Sequence, residues 1–199
     1  MEESAITRLF QHDAVYGPQD LKFEPFKVDT ASVKSFDCGN QSLNEFLCTD
    51  EVRNYERELL GKTTLVFCQG KLTGYYTLFN TKLRIEYLKT YKSFSKLGTY
   101  HLDGIPSIAL GRLAIDKAWQ NKGIGRTVFQ RIAINTLDGA EQSAIRLIVV
   151  QAKKDATDFY EKLAFEYVFE TKSEAKRFKT KGTRTMFFDL IVLRTLDQP

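Results

Sequence analysis

Leu110-Gly111-Arg112-Leu113-Ala114-Ile115-Asp116, followed two residues later by Trp119-Gln120-Asn121-Lys122-Gly123-Ile124-Gly125-Arg126, is the stretch on which the reading of this chain turns. Ile108 to Ile115 is almost continuously apolar except for Arg112, as expected of a strand covered on both faces. From Gly123 onward Ile124, Val128, Ile132 and Leu137 recur about once per turn and Asp138-Gly139 closes the pattern, which predicts a helix. The loop between them carries two glycines at the helix start. The first amides of a helix lack intrahelical acceptors, and the helix dipole makes that end positive. Glycine lets a phosphate approach the backbone, and Lys122 and Arg126 add formal charge, so the segment suits an anion, above all a pyrophosphate. Two glycines at a helix start also serve packing alone. The segment is neither a P-loop, since no G-x-x-x-x-G-K-[ST] is present, nor a dinucleotide fingerprint, since the third glycine is missing.

Outward from this core, the C-terminal half alternates strands and helices: a strand at Ile145 to Val150, a helix at Asp155 to Leu163, and strands at Glu166 to Glu170 and Thr185 to Leu193. The N-terminal half is richer in strands. Leu21 to Val28 reads as an edge strand because of Pro25, and Ser42 to Leu60 as one amphipathic helix stopped by Gly61. Thr63 to Cys68 and Leu72 to Leu83 form a hairpin about Gln69-Gly70-Lys71, and Tyr87 to Gly104 is a surface excursion. The order β-α-β-β-β-α-β-α-β-β predicts an α/β (α+β) fold, a mixed sheet with helices on both faces. Residues 1–20 read as an arm ending at Gly17-Pro18, and 21–199 as a single domain.

Composition fits this picture. The 199 residues are 43% apolar and 27% charged with 4 prolines, which excludes disorder, collagen-like repeats and coiled coil. No apolar run reaches the length of a membrane span, and charges interrupt Met1 to Asp13, so neither a membrane segment nor a secretory signal is expected. Cys38, Cys48 and Cys68 are odd in number and form no C-x-x-C pair, and His12 and His101 are the only histidines. No metal site is expected, and a reducing cytoplasm is the expected compartment. The +4 net charge is concentrated. Between Thr171 and Arg184, six Lys and Arg stand against Glu174 alone, a local balance of +5, leaving −1 for the rest of the chain. This is either a solvated basic loop or a landing patch for a polyanion.

With the strand before it and the Asp155–Phe165 segment after it, the glycine loop resembles that of the GNAT superfamily of N-acetyltransferases. The Q/R-x-x-G-x-G/A motif is matched by Gln120, Gly123 and Gly125, and A-x-x-F-Y-x-x-x-G-F by Ala156, Phe159, Tyr160 and Phe165, with Ala164 in place of glycine. The resemblance covers about Thr63 to Leu190 and implies a central sheet whose middle strands splay apart around acetyl-CoA. It implies that Leu113, Ala114 and Ile115 offer backbone contacts to the pantetheine arm. The amides of Lys122, Gly123, Ile124, Gly125 and Arg126 would hold the diphosphate, Gln120 and Asn121 would belong to the same cofactor-binding loop, and Tyr160 would protonate the departing thiolate. Asn121 tolerates a positive φ, and Ala164 is expected only to tighten the helix exit. The alternative for Tyr160 is a core aromatic with a satisfied hydroxyl.

Phe36-Asp37-Cys38-Gly39-Asn40, Leu43-Asn44-Glu45-Phe46-Leu47 and Gly74-Tyr75-Tyr76-Thr77-Leu78 narrow the likeness to the GNAT-type toxins of toxin–antitoxin pairs. Those proteins acetylate the α-amine of aminoacyl-tRNA and are held by a ribbon-helix-helix antitoxin. As structure alone, Cys38-Gly39-Asn40 is a turn before a helix. An α-amine, titrating near 7.7, needs less help from a base than a lysine near 10.4, and no obvious base is present beyond Asp116, Glu86 or Glu45 acting through water. Lys172, Lys176, Arg177, Lys179 and Lys181 are the candidates for contacting tRNA phosphates. A small-molecule or protein amine acceptor, a non-enzymatic acyl-CoA or RNA-binding role, and a homodimer all stay open on the sequence.

Overall fold

The computed structural model describes residues 15–27, 31–100 and 102–194. Most of the expected arm, Val28, His12 and His101 lie outside these residues. Among the described residues seven strands form one sheet in the order β1-β2-β3-β4-β5-β7-β6, mixed because β4 and β5 run parallel while the β1–β2, β2–β3, β5–β7 and β6–β7 pairs are antiparallel. The strands are β1 (Leu21–Pro25), β2 (Lys62–Cys68), β3 (Lys71–Arg84), β4 (Gly104–Ile115), β5 (Leu147–Lys153), β6 (Glu166–Tyr167) and β7 (Thr183–Asp189). Among the described residues no helix is long and apolar enough to cross a membrane.

The chain divides into two compact units, and the dividing points fall within β3, β4 and the helix after it. One unit holds the described residues up to Phe79 together with Leu110–Ile132. Here β1 pairs with β2 from Leu21 opposite Cys68 to Pro25 opposite Thr64, and the proline closes the edge strand. Gln69 and Gly70, both at positive φ, turn β2 back into β3. The single helix expected over Ser42–Leu60 is two, α1 (Gln41–Cys48) and α2 (Asp50–Arg57). Thr49 is extended between them, and its hydroxyl accepts the Glu51 amide, so its side chain caps α2 instead of continuing α1. The stop is not Gly61: Leu59 takes the left-handed conformation (φ 55°), and the Leu60 amide reaches back to the Tyr55 carbonyl. Phe36, Phe46, Leu47, Val52, Leu65 and Tyr75 form this unit's core.

The other unit holds Asn80–Ala109 and the chain from Ala133 onward. The supposed surface excursion after β3 is a series of 3₁₀ turns that buries Leu88 and Phe94 against Ile105, Leu147, Val149 and Phe187. β4 pairs with β5 from Ser107 opposite Leu147 to Ala109 opposite Val149. Helices α3 (Ile124–Gly139), α4 (Thr157–Glu161), α5 (Lys172–Lys181) and α6 (Ile191–Arg194) complete the described chain. The last strand ends at Asp189, and α6 takes the residues expected to extend it.

Candidate acyl-carrier site

In the first unit β4 leads directly into the glycine loop. The Asp116 amide donates to the Thr73 carbonyl, and a Cβ on Gly74 would meet the Ala114 carbonyl at 2.7 Å, so residues 114 and 116 face β3. The two-residue period of a strand then turns the backbone groups of Leu113 and Ile115 to the opposite edge, where an extended ligand arm can add to them. Asp116 caps the 3₁₀ turn Lys117–Trp119 by accepting the Ala118 amide at 2.9 Å.

Beyond that turn Asn121 (φ 60°) and Gly123 (φ 83°) are both left-handed. These two residues fold the backbone into a concave turn, and asparagine and glycine are the residue types that accept such a conformation at low cost. Thr127 is the first residue of α3 to close a helical bond, to the Gly123 carbonyl at 3.1 Å, which leaves the amides of Ile124 and Gly125 without acceptors inside the helix. Two of the polar side chains have other duties. Gln120 donates from Nε2 to the carbonyls of Cys38 and Ile115, both at 2.9 Å, and Lys122 Nζ donates to the Ala118 carbonyl at 2.7 Å over the Trp119 ring. What the turn offers an anion is therefore backbone amides and the helix dipole more than the side chains of Gln120 and Lys122.

A group that the sequence reading passed over lies against this loop. The Asp37 amide donates to Asp116 Oδ2 (3.1 Å), and the Lys117 amide to the Asp37 carbonyl (2.9 Å). Lys117 Nζ meets Asp37 Oδ2 at 2.8 Å. The Asp37 Oδ1 accepts from the Gly39 amide and from Asn44 Nδ2, both at 2.8 Å. Hydrogen bonds from Lys117, the Gly39 amide and Asn44 hold its carboxyl at about 2, well below the usual range. Asn44 Oδ1 accepts from both the amide and the thiol of Cys38, and burial pushes that thiol's pKa up. Only the grouping of these residues in the motif could have signalled this, since nothing in their spacing shows a bond across eighty residues.

In the second unit Tyr160 lies on α4, the short helix that β5 feeds through a 3₁₀ turn. Its ring is edge-on to those of Phe159 and Phe165, each at 5.2 Å, and burial pushes its pKa up to about 12. Among the described residues no group hydrogen-bonds its hydroxyl, and the one fully buried side-chain polar atom without a partner is Thr183 Oγ1. The ring is a core aromatic, and its hydroxyl has no protein partner among the described residues. The helix exit also differs from expectation: Ala164 is left-handed (φ 62°), with the Phe165 amide bonded to the Tyr160 carbonyl and the Ala164 amide to Glu161. It occupies a glycine position in a Schellman turn, which strains the exit instead of merely tightening it.

The basic window is a helix, not a loop. Thr171 caps α5, and Gly182, left-handed, ends it. Glu174 is buried, accepting the Thr185 amide and hydroxyl and the Arg177 guanidinium, which turns Arg177 inward; Arg184 stacks on Phe178. Lys172, Lys176 and Lys179, spaced i, i+4, i+7, form an exposed stripe, and Lys181 is exposed at the helix end. Of the three carboxylates considered as a base, Asp116 is the cap of the Lys117–Trp119 turn, Glu86 pairs with Arg84 and Glu45 accepts from Gln41.

A mixed sheet in which a strand opens into a left-handed amide turn at a helix start suits a ligand that carries phosphate, as an acyl carrier of the transferases does. The chain belongs to the acetyltransferase (GNAT) domain family, whose sequence profile matches residues 64–167, and it is an N-acetyltransferase. It is 27% identical over 140 residues, 69% of this chain and 80% of the relative, to a tRNA-acetylating toxin of Mycobacterium tuberculosis. Two solved structures resemble it closely. AtaT complexed with acetyl-methionyl-tRNAfMet matches with a TM-score of 0.73 at 26% identity, over 90% of this chain and 100% of that one. A tyrosine-to-phenylalanine mutant of the AtaT toxin, bound to the C-terminus of the antitoxin AtaR and acetyl-CoA, matches with a TM-score of 0.67 at 26% identity, over 89% of this chain and 98% of that one.

Proposed function

We propose that this protein is a toxin that transfers acetyl from acetyl-CoA to the α-amine of an aminoacyl-tRNA, and that a small antitoxin restrains it. The lysine stripe of α5 carries the choice of acceptor. A small amine has no use for three aligned ammonium groups, whereas an acceptor stem presents phosphates along a line. The likeness to a tRNA-acetylating toxin and to AtaT with its charged tRNA supports the same choice.

Acetyl-CoA supplies an activated thioester. The left-handed turn at Asn121 and Gly123, with the amides of Ile124 and Gly125, suits its diphosphate, and the outer edge of β4, the Leu113 carbonyl and the Ile115 amide, suits its arm, the Ile115 carbonyl being held by Gln120. The α-amine, of which about a sixth is neutral at pH 7 against well under a thousandth of a lysine, attacks the thioester carbonyl directly. As the C–N bond forms and the C–S bond breaks, Tyr160 gives its phenol proton to the sulfur, and the nitrogen's surplus proton passes to water and restores the phenol. The phenol is protonated at every physiological pH, and because burial raises its pKa to about 12, full transfer to a thiolate near 8.5 is uphill, so a hydrogen bond to the developing charge carries the step.

The experiment is incubation with acetyl-CoA and either total charged tRNA or a panel of small amines, with the product weighed by mass spectrometry. A 42 Da gain on the aminoacyl end of tRNA is expected; a gain confined to the amine panel would reassign the acceptor.

A further inference from the structure

We infer that Asp37 is a positioning residue for the acyl-carrier loop, acting through Lys117 and held in place by Asn44. The inference rests on the acetyl-CoA part of the reading above and not on the choice of acceptor. Two residues, Asp37 and Cys38, are tied to Asp116, Lys117 and Gln120 by the Asp37 amide, the Asp37 carbonyl, the Asp37 carboxylate and the Cys38 carbonyl. Those bonds grip the loop where β4 ends and where Gln120 leads into the left-handed Asn121, the two points that fix the direction of the amides beyond. The turn that carries them is closely fitted: Gly39 has φ 83°, and a Cβ there would strike Lys117 Cε at 2.9 Å.

Strength alone would not explain such a network. Lys117 and Asp37 keep 61% and 52% of their side-chain surface exposed, and exposed pairs add little to stability. What it supplies is preorganisation. A loop already in its binding conformation loses less freedom when the diphosphate arrives, so loosening it weakens carrier binding without changing the chemistry that follows.

The test uses the full chain and free CoA as the probe in calorimetry, beside steady-state kinetics with acetyl-CoA. Asp37→Ala and Lys117→Met are each expected to raise the Kd for CoA and the KM for acetyl-CoA about five- to tenfold, with kcat at saturation within about twofold. The double variant should match either single one instead of multiplying them, and Lys117→Arg should restore most of the affinity. Unchanged CoA affinity in folded Asp37→Ala would overturn the inference, and affinity tighter than wild type would overturn it and make the released Lys117 a direct phosphate contact. If Asp37→Ala fails to fold, Asn44→Ala and Lys117→Met decide alone, and unchanged affinity in both overturns the inference. Failure of the wild type to bind CoA would instead remove the acetyl-CoA reading itself.

Discussion

Lys117 and Asp37 are joined twice, by a backbone bond from the lysine amide to the aspartate carbonyl at 2.9 Å and by an ion pair at 2.8 Å. Because that pair is exposed, its value lies in the shape of the loop and not in the melting temperature. Lys117→Met is expected to lower Tm by less than about 2 °C in calorimetry, a shift too small for a general loss of fold to explain weaker carrier binding.

Tyr160 has a buried ring and a hydroxyl without a hydrogen-bond partner among the described residues. Tyr160→Phe therefore keeps the packing against Phe159 and Phe165 and should change stability by less than about 0.5 kcal/mol. Turnover at saturating acetyl-CoA should fall by about a hundredfold or more, with CoA affinity intact. Full turnover in the folded variant would remove the acid role.

Alkali should act on the same residue. Its pKa is raised in the folded state to about 12, against about 10 in the unfolded chain, so its contribution to stability is complete below pH 10 and is lost as the pH climbs towards 12. Tyr75, also raised by burial, acts in the same direction. Denaturation midpoints are expected to hold up to about pH 10 and then fall steeply, and Tyr160→Phe should flatten part of the fall. The activity profile should show no loss from this phenol below about pH 11.

Ala164 sits at φ 62°, where a Cβ is unwelcome. Ala164→Gly removes that strain but frees the unfolded chain a little, so a net gain of about 0.5–1 kcal/mol is expected in chemical denaturation. A loss of stability would mean that the alanine methyl packs better than the strain costs.

The stripe on α5 makes a prediction about salt. Three aligned phosphate contacts give a slope of about −3 for log affinity against log salt, and each of Lys172→Gln, Lys176→Gln and Lys179→Gln should reduce it by about one. Arg177→Gln would be a poor probe, since its guanidinium serves the buried Glu174.

Local signals made most of the sheet legible. The hairpin, the buried strand ending at Ile115 and the glycine loop announce themselves through alternation, apolar runs and turn residues within a few positions. The end of the helix before Gly61 is hidden in the sequence because its left-handed residue is Leu59 and not glycine; at Ala164 the motif's glycine marks the position, and only the structure shows the strain of a Cβ there. The helical nature of 172–181 was masked by its charge, which reads as a wet loop until the inward-facing Glu174, Arg177 and Phe178 are seen. The Asp37 brace was invisible for another reason: its partners lie about eighty positions away, and pairing at that range belongs to the fold.

The most direct test of the account is transfer of labelled acetyl from acetyl-CoA in the presence of charged tRNA, followed by analysis of the aminoacyl end. Label in N-acetyl-aminoacyl-tRNA, lost in Tyr160→Phe and weakened by glutamine at Lys172, Lys176 and Lys179, is the predicted result. Label that stays out of charged tRNA while small amines are acetylated would contradict it.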